Sequence, residues 1–237
     1  MSYEQATAAE EEYLETMFWL EEAGLPMTAA NMARAMRLSA PTVHEMIRRL
    51  ENDGYVIRSE DKSLTFTEVG HTHAATVVRR HRLIERFLTD VLGIPWDEVH
   101  EEAERLEHAM SPVLEERIRV AIGGATTCPH GHPIVEGARV RGVPLADVDE
   151  GASVHVLRFE NEAEDLLHYL KAAGLHPGLR GTMAESGAEE VTVQSNGARH
   201  VLSRSVAETV SVVADPSPPP RTALPEQLVL ARERYGR

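Results

Sequence analysis

The segment HEEAERLEHAM, residues 100–110, places four glutamates and two histidines in eleven positions. On an α-helix turning about 100° per residue, His100, Glu104, Glu107 and His108 fall within an arc of roughly 100°, while Glu101 and Arg105 point elsewhere. Imidazole nitrogens and carboxylate oxygens grouped in this way are donors for a divalent cation. The same face would serve equally as a solvated acidic surface, so the choice rests on what lies opposite. Two other segments bear on it. His81 and Glu85, in RRHRLIERFL, are four apart and share a helix face. Glu12 and Glu15, in EEYLE, are three apart and also point one way. Three helices that each present Glu or His pairs favour a metal site over a charged surface.

The elements carrying these groups follow from periodicity and punctuation. Residues 8–24 read as an amphipathic helix with Tyr13, Leu14, Met17, Phe18 and Leu20 as its apolar stripe and Gly24 as its stop. Thr28 caps a helix over TAANMARAMRL. Ser39 caps another over SAPTVHEMIRRLENDG, with Pro41 in its first turn and Gly54 at its end. YVIRSEDKSLTFTEVG then reads as strand, polar turn and strand. Two short helices followed by a hairpin are the pattern of a winged helix-turn-helix. Residues 70–122 are expected to be helical: a long helix through HAATVVRRHRLIERFLTDVLG, a break at Pro95, and a helix over DEVHEEAERLEHAMSPVLEERIRVAIG. Residues 123–144, including CPHGHPI and GARVRGVP, read as a linker. Between 145 and 214, SVHVLRF, GTMAES, EVTVQS, ARHVLS and TVSVVA are short strands and NEAEDLLHYLKAAGL a helix, which suggests a small β-barrel.

In a helix-turn-helix the N-terminal end of the second helix enters the major groove. Here that end is Ser39, Ala40, Pro41 and Thr42, with His44 and Glu45 one turn on. Small side chains permit close approach to base edges, and Glu45 could accept from cytosine. Arg34, Arg37, Arg48, Arg49, Arg58 and Lys62 are candidate phosphate contacts. These six bases stand against five acids in residues 28–63, a local charge of +1 in a chain whose formal charge is −14. Such a balance excludes a protein that coats nucleic acid indiscriminately and leaves a selective reader that needs dimerisation or neutralised acids to bind tightly. The single cysteine, Cys128, excludes an intramolecular disulfide and fits a reducing cytoplasm. No apolar run approaches the ~18 residues of a membrane span, so no membrane partner is expected.

In order over residues 8–134, EEYLE, SAPTVHEMIRRLENDGYV, LTFTEVGHTHA, RRHRLIERFL, VHEEAERLEH and CPHGHPI resemble the diphtheria-toxin-repressor and manganese-transport-regulator family of metal-dependent transcription factors. Residues 145–214, with LLHYLKAAGLHPG, are similar to the SH3-like, FeoA-type barrel that many members carry. The resemblance implies a multi-domain α+β chain. Its expected parts are a winged helix-turn-helix at 1–74, an all-α metal-binding and dimerisation domain at 75–134, a linker at 135–144, an SH3-like small β-barrel at 145–214 and a Pro-rich tail at 215–237.

The resemblance also implies ligands. A primary site falls on Glu12, Glu104, Glu107 and His108, with Glu15 and His81 joining when two metals sit close together. Iron-responsive members have methionine and cysteine at the positions of Glu12 and Glu104; the carboxylates here match the manganese-responsive branch, which often has aspartate where this chain has Glu12. Mn²⁺ is the expected cofactor, with Fe²⁺ as the alternative and Zn²⁺, Co²⁺ or Cd²⁺ able to substitute in vitro. For a second site, His81, Glu85 and His100 match the ancillary site of iron-type members, whose barrel ligands align near Ala163 and Leu166, which cannot bind. Related manganese regulators use Cys128 and His130 with a barrel acid, for which Asp165 is the choice, with Glu162 and Glu164 nearby. His81 could join either site. The expected protein is a cytoplasmic homodimer that binds a palindromic double-stranded DNA operator when loaded and represses metal-uptake genes, with no small organic substrate. A di-metal carboxylate enzyme is the alternative of another class, but HExxH and the paired Glu-x-x-His of di-iron bundles are both missing. A protein-interaction role for the winged helix is the other.

Overall fold

Helix α1 (Ala8–Glu22) starts at a reciprocal cap in which Thr7 Oγ1 accepts from the Glu10 amide and the Glu10 carboxylate accepts from the Thr7 amide. The computed structural model describes residues 6–135 and 137–216, so the expected tail lies outside the described residues from 217 onward. Thr28 and Ser39 cap α2 (Ala29–Met36) and α3 (Ala40–Asn52), as their spacing requires. Strands β1 (Val56–Arg58) and β2 (Leu64–Phe66) pair antiparallel as a short wing. Leu14, Met17 and Phe18 of α1 share one core with Met32, Val43, Ile47, Leu50, Tyr55 and Leu64. The first helix is therefore built into the winged helix-turn-helix and moves with it.

Helix α4 (Glu68–Asp90) begins at Thr67, whose hydroxyl accepts from the Gly70 amide and donates to the Gly54 carbonyl. Ala74 and Val78 of α4 belong to the first core. Further along, Leu83, Ile84 and Leu88 join Val99, Ala103, Met110, Ile118 and Ile122 in a second. One long helix thus spans both bodies. The single helix expected over DEVHEEAERLEHAMSPVLEERIRVAIG is two: α5 (His100–Glu107) and α6 (Pro112–Ala121). Ser111 accepts from the Leu114 amide and Pro112, lacking an N–H, starts the new helix. The CPHGHPI stretch is also more than a linker, since Cys128, His130 and His132 are buried in a turn closed by a Thr127–Pro133 bridge.

The C-terminal unit is a six-stranded antiparallel sheet ordered β3-β8-β4-β5-β6-β7. It comprises β3 (Val143–Pro144), β4 (Ser153–Phe159), β5 (Arg180–Ser186), β6 (Glu190–Ser195), β7 (Ala198–Ser203) and β8 (Val210–Asp215). The five expected strands are β4 to β8; β3 and the short helix α8 (Arg204–Ala207) were not legible. Helix α7 (Glu164–Ala172) closes the core through Leu166, Leu167 and Leu170. Arg139, before β3, reaches Glu22 of α1 at 3.2 Å and Glu160 after β4 at 2.6 Å, while Arg82 of α4 also grips Glu22. Those pairs fasten the sheet domain to the first and fourth helices.

Gly70 is where α4 presses on the start of the wing. A Cβ there would stand 1.9 Å from the Tyr55 carbonyl oxygen, a backbone atom that cannot step aside. Gly70→Ala is expected to cost about 1–3 kcal/mol of unfolding free energy in chemical denaturation. Wild-type stability in that variant would mean that this approach is loose.

Candidate metal centre and nucleic-acid interface

Glu15 of α1, His81 of α4 and Glu107 of α5 bring one donor atom each within 4.8 Å of one another, and all three are buried. His81 donates from Nδ1 to Glu107 Oε2 at 2.6 Å, with Glu15 Oε1 at 3.7 Å. His108 Nε2 lies 3.4 Å from Glu107 Oε1. Glu12 is exposed at the mouth of this cluster, close enough that the Glu104 and Glu107 charges add to burial in raising its pKa, against His108. Glu12, Glu15 and Glu104 line a cavity of about 570 Å³ that opens from the cluster.

One residue at this site was missed. Glu11 accepts from His108 Nδ1 at 2.7 Å and from His73 Nε2 at 3.0 Å. Glu11 lies four residues before Glu15 and so on its face, a signal that was present in EEEYLE.

A second chamber adjoins the first through His81, whose Nε2 points away from Glu107 toward Glu85 Oε1 at 3.0 Å and His100 Nδ1 at 3.1 Å. His81 thus turns one nitrogen toward each of the two expected sites. Glu85 Oε1 also stands 3.1 Å from His130 Nδ1. His130 donates from Nε2 to the Trp96 carbonyl at 2.7 Å, which turns Nδ1 into the chamber. The barrel's contribution is Glu162, not Asp165. Glu162 Oε2 lies 3.1 Å from His100 Nδ1 and 3.4 Å from His130 Nδ1, whereas Asp165 is exposed in the first turn of α7 and lines the open cavity. The reason is local: α7 begins at Glu164, so Glu162 sits on the strand-to-helix connection that passes over α5. Glu104 stays at the rim, 3.4 Å from His100 Nε2.

The donor sets fit divalent cations. Ligands about 2.1 Å from an octahedral ion stand about 3 Å from their neighbours, the spacing observed between most of these atoms. Several are also buried without a hydrogen-bond partner: Glu15 Oε1, Glu107 Oε1 and His108 Nε2 in the first cluster, Glu85 Oε2 and His130 Nδ1 in the second. Buried orphan donors of this kind are costly unless something positive reaches them. Protons partly fill that role. Burial works against a charged His81, yet Glu85, Glu15 and Glu107 outweigh it and hold its pKa well above the usual range. Burial likewise opposes charge on His100, but Glu104, Glu162 and Glu85 raise it to about 10. Burial, with Glu85 beside it, pushes the Cys128 thiol up to about 11.

The reader helix α3 presents Ala40, Pro41, Thr42, His44, Glu45 and Arg48 to solvent. Ser39 Oγ caps the helix and lies 2.8 Å from Thr42 Oγ1. Arg34 and Lys62 are exposed as a phosphate contact requires. Three other arginines are placed differently. Arg49 Nε is 2.7 Å from Glu10 Oε1 of α1. Arg58 makes a two-pronged pair with Glu51 at 3.0 and 2.8 Å. Arg37, in the left-handed region at φ 54°, lines the acidic cavity beside Glu12.

Residues 5–64 match the model of the iron-dependent repressor N-terminal DNA-binding domain, residues 67–136 its metal-binding and dimerisation domain, and residues 143–214 the FeoA domain. The iron-dependent repressor IdeR of Mycobacterium leprae (strain TN) is 35% identical over 219 residues, covering 85% of this chain and 95% of that one. The chain belongs to the iron-dependent repressor family. It is a metal-dependent, DNA-binding transcriptional repressor of that family, not an enzyme. Among solved structures, a manganese-dependent transcriptional repressor in complex with manganese is 31% identical with a TM-score of 0.79, covering 86% of this chain and 99% of that one. The manganese regulator SloR is 30% identical with a TM-score of 0.72, covering 86% of this chain and 97% of that one. The recognised family has iron-named and manganese-named members alike. Among the described residues no helix is long and apolar enough to cross a membrane.

Glu15 offers a test of the first cluster without metal. Burial raises its pKa well above 4.5, and the Glu107 charge adds to this against His81. The folded protein therefore keeps a proton that the unfolded chain releases, and that stability is full below the ordinary carboxylate range and lost as pH climbs toward the native value. In chelator-treated protein, denaturant titrations from pH 4.5 upward should show stability falling with pH more steeply for wild type than for Glu15→Gln. Equal slopes would mean that Glu15 is already ionised in the fold.

Proposed function

We propose that this repressor is activated by Mn²⁺, binds a palindromic operator as a homodimer and silences metal-uptake genes. The donor set at the junction of α1, α4 and α5 carries the manganese assignment: Glu12, Glu15, Glu104, Glu107, His81 and His108 offer carboxylate oxygen and imidazole and no sulfur. Sulfur donors favour softer or later metals, whereas this set suits Mn²⁺. Fe²⁺ is the second reading, favoured by the iron-dependent repressor of Mycobacterium leprae. Zn²⁺, Co²⁺ or Cd²⁺ would occupy the same donors in vitro.

A bound divalent cation supplies positive charge between α1 and α5. The residues do the rest. Glu12 and Glu15 of α1 stand opposite Glu104 and Glu107 of α5, so the four carboxylates resist being ionised together in the closed site until a cation neutralises them. Helix α1 shares the winged-helix core and holds α3 through the Glu10–Arg49 pair, so seating its carboxylates also orients the reader. Leu106, Val113, Leu114 and Val120 form an exposed apolar face on α5 and α6, which supports a dimer through those helices. Two readers held in such a dimer match successive major grooves. The chamber around Glu85 serves as an ancillary site that ties the barrel to α4 and α5.

Binding to the cognate palindrome should require Mn²⁺ and be lost with chelator in an electrophoretic or anisotropy assay. Arg48→Ala should weaken all sequences alike and lower the salt slope by about 1, while Thr42→Ala should preferentially harm the cognate site. Parallel losses on specific and random DNA in both variants would remove α3 as the reader.

Selectivity can be tested at the two positions that depart from the iron-type pattern. Glu12→Met with Glu104→Cys should move the response away from Mn²⁺ toward Fe²⁺, Co²⁺ or Ni²⁺ under anaerobic conditions, because thioether and thiolate bind Mn²⁺ weakly. An unchanged order of metal potency would show that these two side chains do not set selectivity.

A further inference from the structure

The chamber between α4, α5, the CPHGHPI turn and the barrel contains six donors that do not all gather round one point. His81, Glu85, His100 and Glu162 form one group whose donor atoms all lie within 4.8 Å of one another. Glu85, Cys128, His130 and Glu162 form another. The two groups share both carboxylates. Glu85 Oε1 is 3.3 Å from His100 Nδ1 and 3.1 Å from His130 Nδ1; Glu162 Oε2 is 3.1 and 3.4 Å from the same two nitrogens. Opposite ligands of a single octahedral ion are only about 4.2 Å apart, so six donors around one ion would all fall in one group. They divide into two, with the carboxylates between.

We propose that this chamber holds a pair of divalent cations bridged by Glu85 and Glu162, one in a lobe with His81 and His100 and the other in a lobe with Cys128 and His130. The inference rests on the reading of the protein as metal-responsive and adds an ion to its ancillary site. Glu85 Oε1 alone lies 3.0 Å from His81 Nε2 and 3.1 Å from His130 Nδ1, an imidazole of each lobe, as a bridge through one oxygen requires, while Oε2 is buried with no hydrogen-bond partner. His130 Nδ1 is also buried and lacks one.

The surroundings hold the donors in place. Arg86 donates to the Thr127 and Cys128 carbonyls at 2.8 and 2.7 Å, fixing the turn on α4. Gly131, at φ 94°, lets that turn lie on β4, where a Cβ would meet the Leu157 carbonyl oxygen at 2.0 Å. His132 donates from Nε2 to the Phe159 carbonyl at 2.7 Å and stands 3.2 Å from Glu162 Oε1, which makes it a positioning residue for the barrel carboxylate. The lobes differ in chemistry. Imidazole and carboxylate alone suit Mn²⁺ or Fe²⁺, while the Cys128 lobe, with sulfur, favours Co²⁺ or Zn²⁺.

The test is ion counting on the full chain. Co²⁺ bound per chain at saturation is measured by equilibrium dialysis for wild type, Cys128→Ser, His100→Ala and the double variant, with thermal unfolding to verify that each is folded. Each single variant should lose one ion and the double variant two, and the near-ultraviolet thiolate-to-cobalt band should vanish with Cys128→Ser and survive in His100→Ala. If the double variant loses only the one ion that each single variant loses, the pair is overturned and the chamber is mononuclear. Electron paramagnetic resonance of Mn²⁺-loaded wild type gives an independent reading without mutation: bridged ions show exchange coupling, and only isolated-ion signals at full loading would also overturn the pair. Neither result bears on the functional reading, which fails separately if wild-type operator binding is insensitive to metal.

Discussion

Everything in this molecule depends on carboxylates buried beside one another. Glu15, Glu85 and Glu107 are each no more than 2% exposed, and they converge from α1 and α4 and α5 on a single imidazole. Taking such groups out of water is costly unless each charge is met by a partner. His81 meets some of it by turning one ring nitrogen toward Glu107 and the other toward Glu85, whose charges favour its protonated form. Oxygens on all three carboxylates are still left without partners. A fold arranged in this way is complete only when cations arrive, and that incompleteness makes it responsive.

The consequence reaches the DNA-reading end through packing rather than through a flexible tether. Helix α1 carries Glu11, Glu12 and Glu15 on its metal-facing side, and Leu14, Met17 and Phe18 on the side built into the winged-helix core. Glu10 extends the connection to α3 through Arg49. At the far end of the same helix, Glu22 is held by Arg82 and Arg139, which brings the barrel side to bear on it as well. A helix gripped at both ends joins its carboxylate face to the reader and to the barrel through continuous packing and ion pairs.

The two chambers divide the chemistry between them. The first is made of oxygen and imidazole and sits where α1 meets α5, so a cation held there would bear on the reader. The second adds the chain's one thiol and the barrel's Glu162, so a cation held there would bear on how the barrel docks. His81 faces both, which gives the two chambers a shared wall and a direct route for influence.

Local rules in the sequence determined much of this. Thr28, Ser39 and Thr67 cap where hydroxyls must cap, the five long strands of the barrel follow their alternation, and the i to i+4 spacing of His81 and Glu85 places them on one face. The break at Ser111–Pro112 was written in the same code and was overlooked because the charge pattern ran on through it. Three things were decided only by the tertiary structure. Glu11, in a run of three glutamates, takes His108 because the crossing of α1 and α5 selects which carboxylate points inward. Arg49 and Arg58 turn to Glu10 and Glu51 because those acids arrive from other elements. Glu162 rather than Asp165 completes the second chamber because a loop's reach depends on where the following helix begins and what it passes over. Spacing along one helix is a property of the chain, whereas the choice among neighbouring carboxylates is made by the surface that packs against them.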